Sequence, residues 1–333
     1  MENYKKGQED GFKTKRHVML EREDMDFVPM KKGILTLAIG KKYNRMAKYL
    51  AYSCILNTPS LPRAIITDDC EYFNDLYDII IHYSKNMGDP FAVKLRLNYY
   101  SPFYETLFLD ADTLVYMDLQ FMWDYFGNQS IVYVGSCKKE GKWYVKEIGD
   151  LLKIYDIPWI GILNSGIFLF RKDEVGINVL SYASELHENH DGVEIPFFRK
   201  KMLPDEPFLA IAFGKYNQFP VEIDKDFGRL GRSLIEAKKI KLDITKGISR
   251  YTKEDRLVFP AVVHFTGITI TGHVQCYYLA EKIRLLFYYM NIPGSTIIRV
   301  FIHMVGLVFG TCMKIIKPPL KRFLRRGYRD YSR

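Results

Sequence analysis

The chain has no close pair of cysteines. Its five, Cys54, Cys70, Cys137, Cys276 and Cys312, are scattered, odd in number and without CxxC spacing. Neither a zinc site nor a disulfide framework is expected, only free thiols in a reducing compartment. MENYKKGQEDGFKTKRH, at the start, lacks the apolar stretch of a secretory signal, which makes the cytoplasm the expected location. Long apolar runs are missing too. The uncharged stretch 300–313, with His303 inside it, falls short of the roughly 20 residues that span a bilayer. There is no internal repeat and no low-complexity linker. Excess positive charge is scarce outside the last twenty residues: of a net +9, residues 314–333 carry +7 (eight basic, one acidic), leaving +2 for the rest. A diffuse nucleic-acid footprint is thereby excluded, and no specific nucleic acid is expected as a partner.

What is present is the composition of a folded soluble protein, 48% hydrophobic and 26% charged. A length of 333 residues can bury a large core. Aromatics reach 15%, mostly Tyr and Phe, which suits flat-walled clefts and an aromatic core equally. Residues 1–32 are polar, mixed in charge and without periodicity, and are expected as an arm. GILTLAIG (33–40) is a short apolar run bounded by glycines, the pattern of a buried strand. YNRMAKYLAYSCIL (43–56) sets Met46, Tyr49, Leu50 and Cys54 at helical spacing. LPRAIITDD and YDIIIHY read as two further strands, VKLRLNYYSPFY as a helix ending near Pro102, and ETLFLDAD as a strand. This alternation predicts an α/β fold with a parallel sheet covered on both faces, in one domain running from 33 to about 291. Further on, SIVYVGS, ILNSGIFLF and PAVVHFTG read as strands, and PDEPFLAIAFGKY and GHVQCYYLAEKIRLLFYYM as helices.

In sheets of this kind ligands lie beyond the carboxyl ends of the strands. LFLDADTLVYMD (107–118) puts Asp110 and Asp112 at such an end. Asp-x-Asp there supports two chemistries. The carboxylates can hold a divalent cation, Mg²⁺ or Mn²⁺, that neutralises the diphosphate of a nucleotide-sugar as it leaves. Alternatively the first Asp is a nucleophile toward phosphate and the second an acid/base, as in the haloacid-dehalogenase phosphatases, whose DxDx[TV] pattern DADTLV resembles, with Leu114 at the last position. A strand-to-helix turn capped by Asp112 or Thr113 is the purely structural explanation. Two features count against the phosphatase. About a hundred residues of βα units precede the motif, and no convincing paired acidic motif with the accompanying Lys follows it.

Several separated segments favour the nucleotide-sugar chemistry. TLAIGKKYNRMAKYLAYSC, AVKLRLNYY, ETLFLDADTLVYMDLQFMW, ILNSGIFLFRKDE, LPDEPFLAIAF and VVHFTG, spanning about residues 33 to 267, resemble in content and order the GT-A-fold glycosyltransferases. The resemblance is greatest to glycosyltransferase family 8, retaining enzymes that include glycogenin and lipopolysaccharide galactosyltransferases. It implies a Rossmann-like, mostly parallel central sheet flanked by helices, a UDP-sugar donor, Mn²⁺ or Mg²⁺, and a glycan or lipid-linked glycan acceptor. Ala38 and Ile39 would line the nucleotide base, Tyr43 would stack on it, and Asp68 or Asp69 would accept a hydrogen bond from base or ribose. Asp110, Asp112 and His264 would ligate the metal, with Ala111 and Gly267 beside them in the donor site. Lys94 would reach the diphosphate or donor hydroxyls, whereas its neighbour Arg96 diverges on a helix. Asn164, Ser165 and Gly166 would pass under the sugar. Asp205 and Glu206 would hold sugar hydroxyls or lie on the β-face of the anomeric carbon. Front-face attack through an oxocarbenium-like transition state needs no strong protein nucleophile; Asp205 is the best carboxylate if a covalent intermediate forms.

Each position also has a plainer explanation. Tyr43 serves as a helix-start packing residue, Asp68 or Asp69 belongs to a turn, His264 is a satisfied core histidine, residues 164–166 form a β-bulge, and Asp205 is a first-turn helix acid. One segment departs from the family. Its pattern continues HxxGxxKPW, but this chain reads HFTGITITGH, with Ile270 in place of Lys and Thr271 and Gly272 in place of Pro and Trp. Thr269, Thr271 or amides near Gly272 at a helix start can substitute on the diphosphate; a binding protein without turnover stays open. Lastly, residues 292–333 interleave apolar and aromatic side chains with Lys and Arg, the pattern of an anchor on an anionic membrane surface. A solvated basic tail or nucleic-acid arm is the rival.

Overall fold

The computed structural model of the chain describes residues 18–20, 30–143, 146–189, 202–221, 228–266 and 272–290. Its strands, in chain order, are β1 (Val18–Leu20), β2 (Met30–Ala38), β3 (Arg63–Thr67), β4 (Ile79–His82), β5 (Phe103–Asp110), β6 (Thr113–Val115), β7 (Ile131–Lys138), β8 (Lys142–Trp143), β9 (Lys146–Glu147) and β10 (Ile160–Arg171). Then come β11 (Arg232–Ser233), β12 (Lys238–Asp243), β13 (Ile248–Lys253), β14 (Arg256–Val258) and β15 (Val262–His264). The helices are α1 (Lys41–Asn57), α2 (Pro90–Leu95), α3 (Leu97–Tyr100), α4 (Ile148–Tyr155), α5 (Glu174–Glu188), α6 (Glu206–Lys215) and α7 (Gly272–Tyr289). The chain divides into two compact units, one of residues 1–51, 59–111 and 120–223, the other of 52–58, 112–119 and 224–333.

The first unit is built on a seven-stranded sheet in the order β1-β4-β3-β2-β5-β10-β7. From β1 through β5 every pairing is parallel, and β10 is antiparallel to both β5 and β7. Parallel strands need helical crossovers, which cover both faces, so their residues are apolar on both sides. All five residues of β3 are buried, and Ile34, Leu35, Leu107, Phe108 and Leu109 are at most 1% exposed. The mostly parallel sheet flanked by helices is the α/β architecture expected. Two starts differ from expectation. Val18–Leu20, within the supposed polar arm, adds an edge strand parallel to β4, and β2 begins at Met30 rather than Gly33.

Two helices of this unit aim the residues of interest. Asp89 caps α2 by accepting from the amides of Phe91 and Ala92 at 2.8 and 3.2 Å, with Pro90 at the first helical position. The expected single helix breaks at Arg96 (φ −110°, ψ 23°), whose guanidinium donates back to the carbonyls of Met87 and Ala92. Lys94 therefore lies in the last turn of α2. Helix α6 is apolar all round, with Pro207 to Gly214 all buried, as a helix inside a core must be. Gly214 brings it against β10's approach: a Cβ there would meet the Trp159 carbonyl oxygen at 2.0 Å.

In the second unit β15 runs parallel to β11 and antiparallel to β6, while β12, β13 and β14 form a separate antiparallel sheet. Helix α7 packs on β12 and on the 3₁₀ turn Ile244–Lys246. Among the described residues no helix is long and apolar enough to cross a membrane. The segment 292–333 lies outside the described residues.

Candidate functional site

In the first unit the carboxyl end of β5 delivers Asp110, and the end of α2 delivers Lys94. The Lys94 ammonium is 2.9 Å from Asp110 Oδ1, 3.1 Å from Asp205 Oδ2, and donates to Ser165 Oγ at 3.1 Å. It donates hydrogen bonds to Asp110 and Ser165 and meets Asp205 as an ion pair. The side chain is 6% exposed, and its Nζ lies 5.0 Å from the centroid of the Phe108 ring. Burial alone would lower the Lys94 pKa; the Asp110 and Asp205 carboxylates outweigh it and hold the value above that of an ordinary lysine. Two carboxylates against one ammonium leave this cluster one negative charge in excess.

Asp205 stands at the N-cap of α6, yet its side chain makes no capping hydrogen bond. It turns to Lys94 instead, and the ion pair is buried at 5% and 6% side-chain exposure. Its neighbour Glu206 accepts from the Ser165 amide at 3.2 Å. The register between β10 and β7 shifts between Leu163 and Phe168, so Asn164, Ser165 and Gly166 lie on an irregular bend of the strand. Asn164 Oδ1 accepts from the Gly166 amide at 3.1 Å and closes that bend.

The loop after β2 is held by Asp68. Both its oxygens accept from the Gly40 amide, at 2.9 and 3.0 Å, and Oδ1 also accepts from Asn44 Nδ2 at 3.0 Å. Gly40 has φ +86°, a conformation that favours glycine. Ala38 is buried and Ile39 half-buried, and Tyr43, in the first turn of α1, is 40% exposed. Asn44 and Gly40 are thus what positions Asp68, and nothing in their spacing signals it beforehand. Asp69 donates its amide to Thr67 Oγ1 at 3.2 Å.

Asp112 opens a segment of the second unit. There β6 follows at once and pairs Thr113 with His264. The Phe265 amide donates to the Asp112 carbonyl at 2.9 Å, and His264 Nε2 lies 2.9 Å from Asp112 Oδ1. The imidazole is 5% exposed and the carboxylate 20%. Within the second unit Asp112 and His264 thus put a carboxylate beside an imidazole, donors that suit a divalent cation such as Mn²⁺. Gly267, Thr269, Ile270 and Thr271 lie outside the described residues.

No family model and no curated protein matches the chain. Solved structures do. The bifunctional glycosyltransferase WbbM, in its apo form, is similar at TM-score 0.44 and 11% identity over 72% of this chain and 46% of that one. Glycosyltransferase GlyE of Streptococcus pneumoniae TIGR4 is similar at 0.41 and 15%, over 60% and 46%. The galactosyltransferase LgtC, solved with donor and acceptor sugar analogues, is similar at 0.47 and 14%, over 71% and 87%. The aligned region spans less than half the length of the first two.

Proposed function

We propose that this protein is a metal-dependent, retaining glycosyltransferase that moves a hexose from a UDP-sugar to a glycan or lipid-linked glycan acceptor. The observation that carries this reading is the convergence of Asp110, Ser165 and Asp205 on the Lys94 ammonium. The four come from separate segments, and each is a position that the family resemblance picks out. The donor set fits a divalent cation, with Asp110, Asp112 and His264 as ligands. Bound there, Mn²⁺ or Mg²⁺ would neutralise the charge that grows on a departing diphosphate.

The chain's own residues do the remaining work. Tyr43, with its ring partly open to solvent, stacks on the uracil, while Ala38 and Ile39 line the base. Asp68 fixes the loop that carries them. Lys94 holds Asp110 and Asp205 by charge and stands beside the diphosphate or the donor hydroxyls. Asp205 then presents a carboxylate to the positive charge that develops at the anomeric carbon, and Glu206 secures the bend at Ser165 and Gly166 beneath the sugar. Ala111 and Gly267 complete the donor site. Residues 292–333 hold the protein on the cytoplasmic face of an anionic membrane.

The test is UDP release from a panel of UDP-sugars with Mn²⁺, run beside Asp112→Ala. Release with one donor is expected, falling at least about a hundredfold in the variant, the scale on which removing an electrostatic stabiliser acts. Undiminished activity in Asp112→Ala refutes the metal assignment. Binding of UDP with Mn²⁺ but no release for any donor and acceptor makes the protein a non-catalytic binder. Stabilisation by UDP with Mn²⁺ excludes the phosphatase.

A further inference from the structure

The β12–β14 sheet carries a charge that the chain-wide count conceals. Residues 228–266 hold nine basic and four acidic residues, an excess of five, although the chain without its last twenty residues is only +2. The register of β12 against β13 shifts between Lys238 and Lys241, and past that shift the paired residues fall on two faces. Leu242 opposite Ser249 and Tyr251 opposite Val258 are buried, whereas Lys241 opposite Arg250 is exposed, and so is Leu257. Two cations directly opposite each other across an antiparallel pair repel, and the arrangement lowers stability. No ion pair relieves it among the described residues. Asp243 and Asp255, the nearby acids, pair with Lys246 and Lys238 at 3.9 and 3.4 Å.

Apolar side chains lie exposed in the same short stretch: Leu257 at 40%, Phe259 at 42% and Ile235 at 39%. Cations interleaved with exposed apolar groups are the pattern of a surface that lies in a headgroup layer. A polynucleotide would reward the cations and could stack a base on Phe259, but it would leave the aliphatic Leu257 and Ile235 unrewarded. A neutral glycan would reward neither. We propose that the outer face of this sheet docks on an anionic phospholipid bilayer, with Lys241 and Arg250 on the headgroups and Leu257 and Phe259 in the boundary. The surface is independent of the catalytic reading and of residues 292–333.

The test is flotation of the full-length protein with vesicles of phosphatidylcholine alone or mixed with phosphatidylglycerol. Binding is expected only to the anionic vesicles, and it should weaken as salt rises. Each basic residue near such a surface contributes about fivefold, so Arg250→Glu, which reverses one charge, lowers partition about 25-fold. The same substitution converts the opposed cations into an attractive pair with Lys241, so the melting temperature stays level or rises. Lys241→Glu forms the reciprocal pair and behaves alike. Lys153→Glu, an exposed position on α4 and no part of the proposed face, makes the same change in net charge and is expected to cost less. The proposal is overturned if Arg250→Glu partitions like the wild type, if Lys153→Glu loses as much, or if phosphatidylcholine alone binds equally well. Binding to a single-stranded oligonucleotide and to neither vesicle also overturns it and reassigns the face to polynucleotide.

Discussion

Lys94 carries more of the site's architecture than any other side chain. Its ammonium is buried and compensated by two carboxylates, so removing it leaves both without their counterion. Breaking one partner out of such a buried arrangement costs about 3–5 kcal/mol. Lys94→Met is expected to lose at least about 3 kcal/mol in denaturant unfolding. The exposed Lys142–Glu147 pair, at 75% and 52% side-chain exposure, supplies the contrast: Lys142→Ala should change stability by less than about 1 kcal/mol. A loss at Lys94 no larger than that would show its ion pairs to be marginal. Lys94 was legible as a candidate only through the family resemblance, which implies a lysine one helix before the acidic motif. Its partners, 16 and 71 residues away for Asp110 and Ser165, were not legible as partners, since residues so separated meet only once the strands have their register.

At the scale of elements, Glu281 fastens α7 to the chain before it. It is 1% exposed, accepts from the Ile244 amide at 2.7 Å, and pairs with Arg284. Desolvation, only partly offset by Arg284, lifts its pKa from 4.5 to about 7. The folded state therefore holds this proton where the unfolded state has lost it, so the contribution to stability is fully present below pH 4.5 and declines as pH rises through about 7. Melting temperatures of wild type and Glu281→Gln, measured from pH 4 to 9, should differ by a term that falls over that window and is flat above it. A constant difference would contradict the assignment. Strands β2 to β5 were legible as apolar runs between turn residues. The β12–β14 sheet was not, because Lys and Arg occupy its outward positions and its β13–β14 turn uses Glu254 and Asp255 at φ +52° and +58°, where a glycine would have signalled the hairpin.

At the scale of the whole molecule, a bound cation couples the site to global stability. A ligand that binds only the folded state stabilises it by about 2.7 kcal/mol at a hundredfold excess over its Kd. Mn²⁺ is expected to raise the melting temperature of the full chain, and to do so more than Ca²⁺, since an imidazole belongs to the donor set. Asp112→Ala and His264→Ala should each abolish the increment, whether or not the protein turns over a sugar. An unchanged Mn²⁺ shift in both variants would remove these residues from the metal site. The α/β class was legible from the alternation of strand and helix. The two interleaved units were not: residues 52–58, assigned to the second unit, continue a helix whose periodicity is unbroken.

What the sequence by itself determined is therefore local. Apolar runs of strand length fall between helical segments, and two carboxylates stand at the end of one such run, because hydrophobic period and side-chain chemistry are properties of neighbours along the chain. Tertiary structure alone decided that Asp205 faces Lys94 rather than capping α6, that His264 meets Asp112, and that Lys241 opposes Arg250. The first two join residues remote in sequence and the third is a pairing between consecutive strands; all are set by strand register and helix packing, and a shift of one residue in either would turn those side chains away from one another.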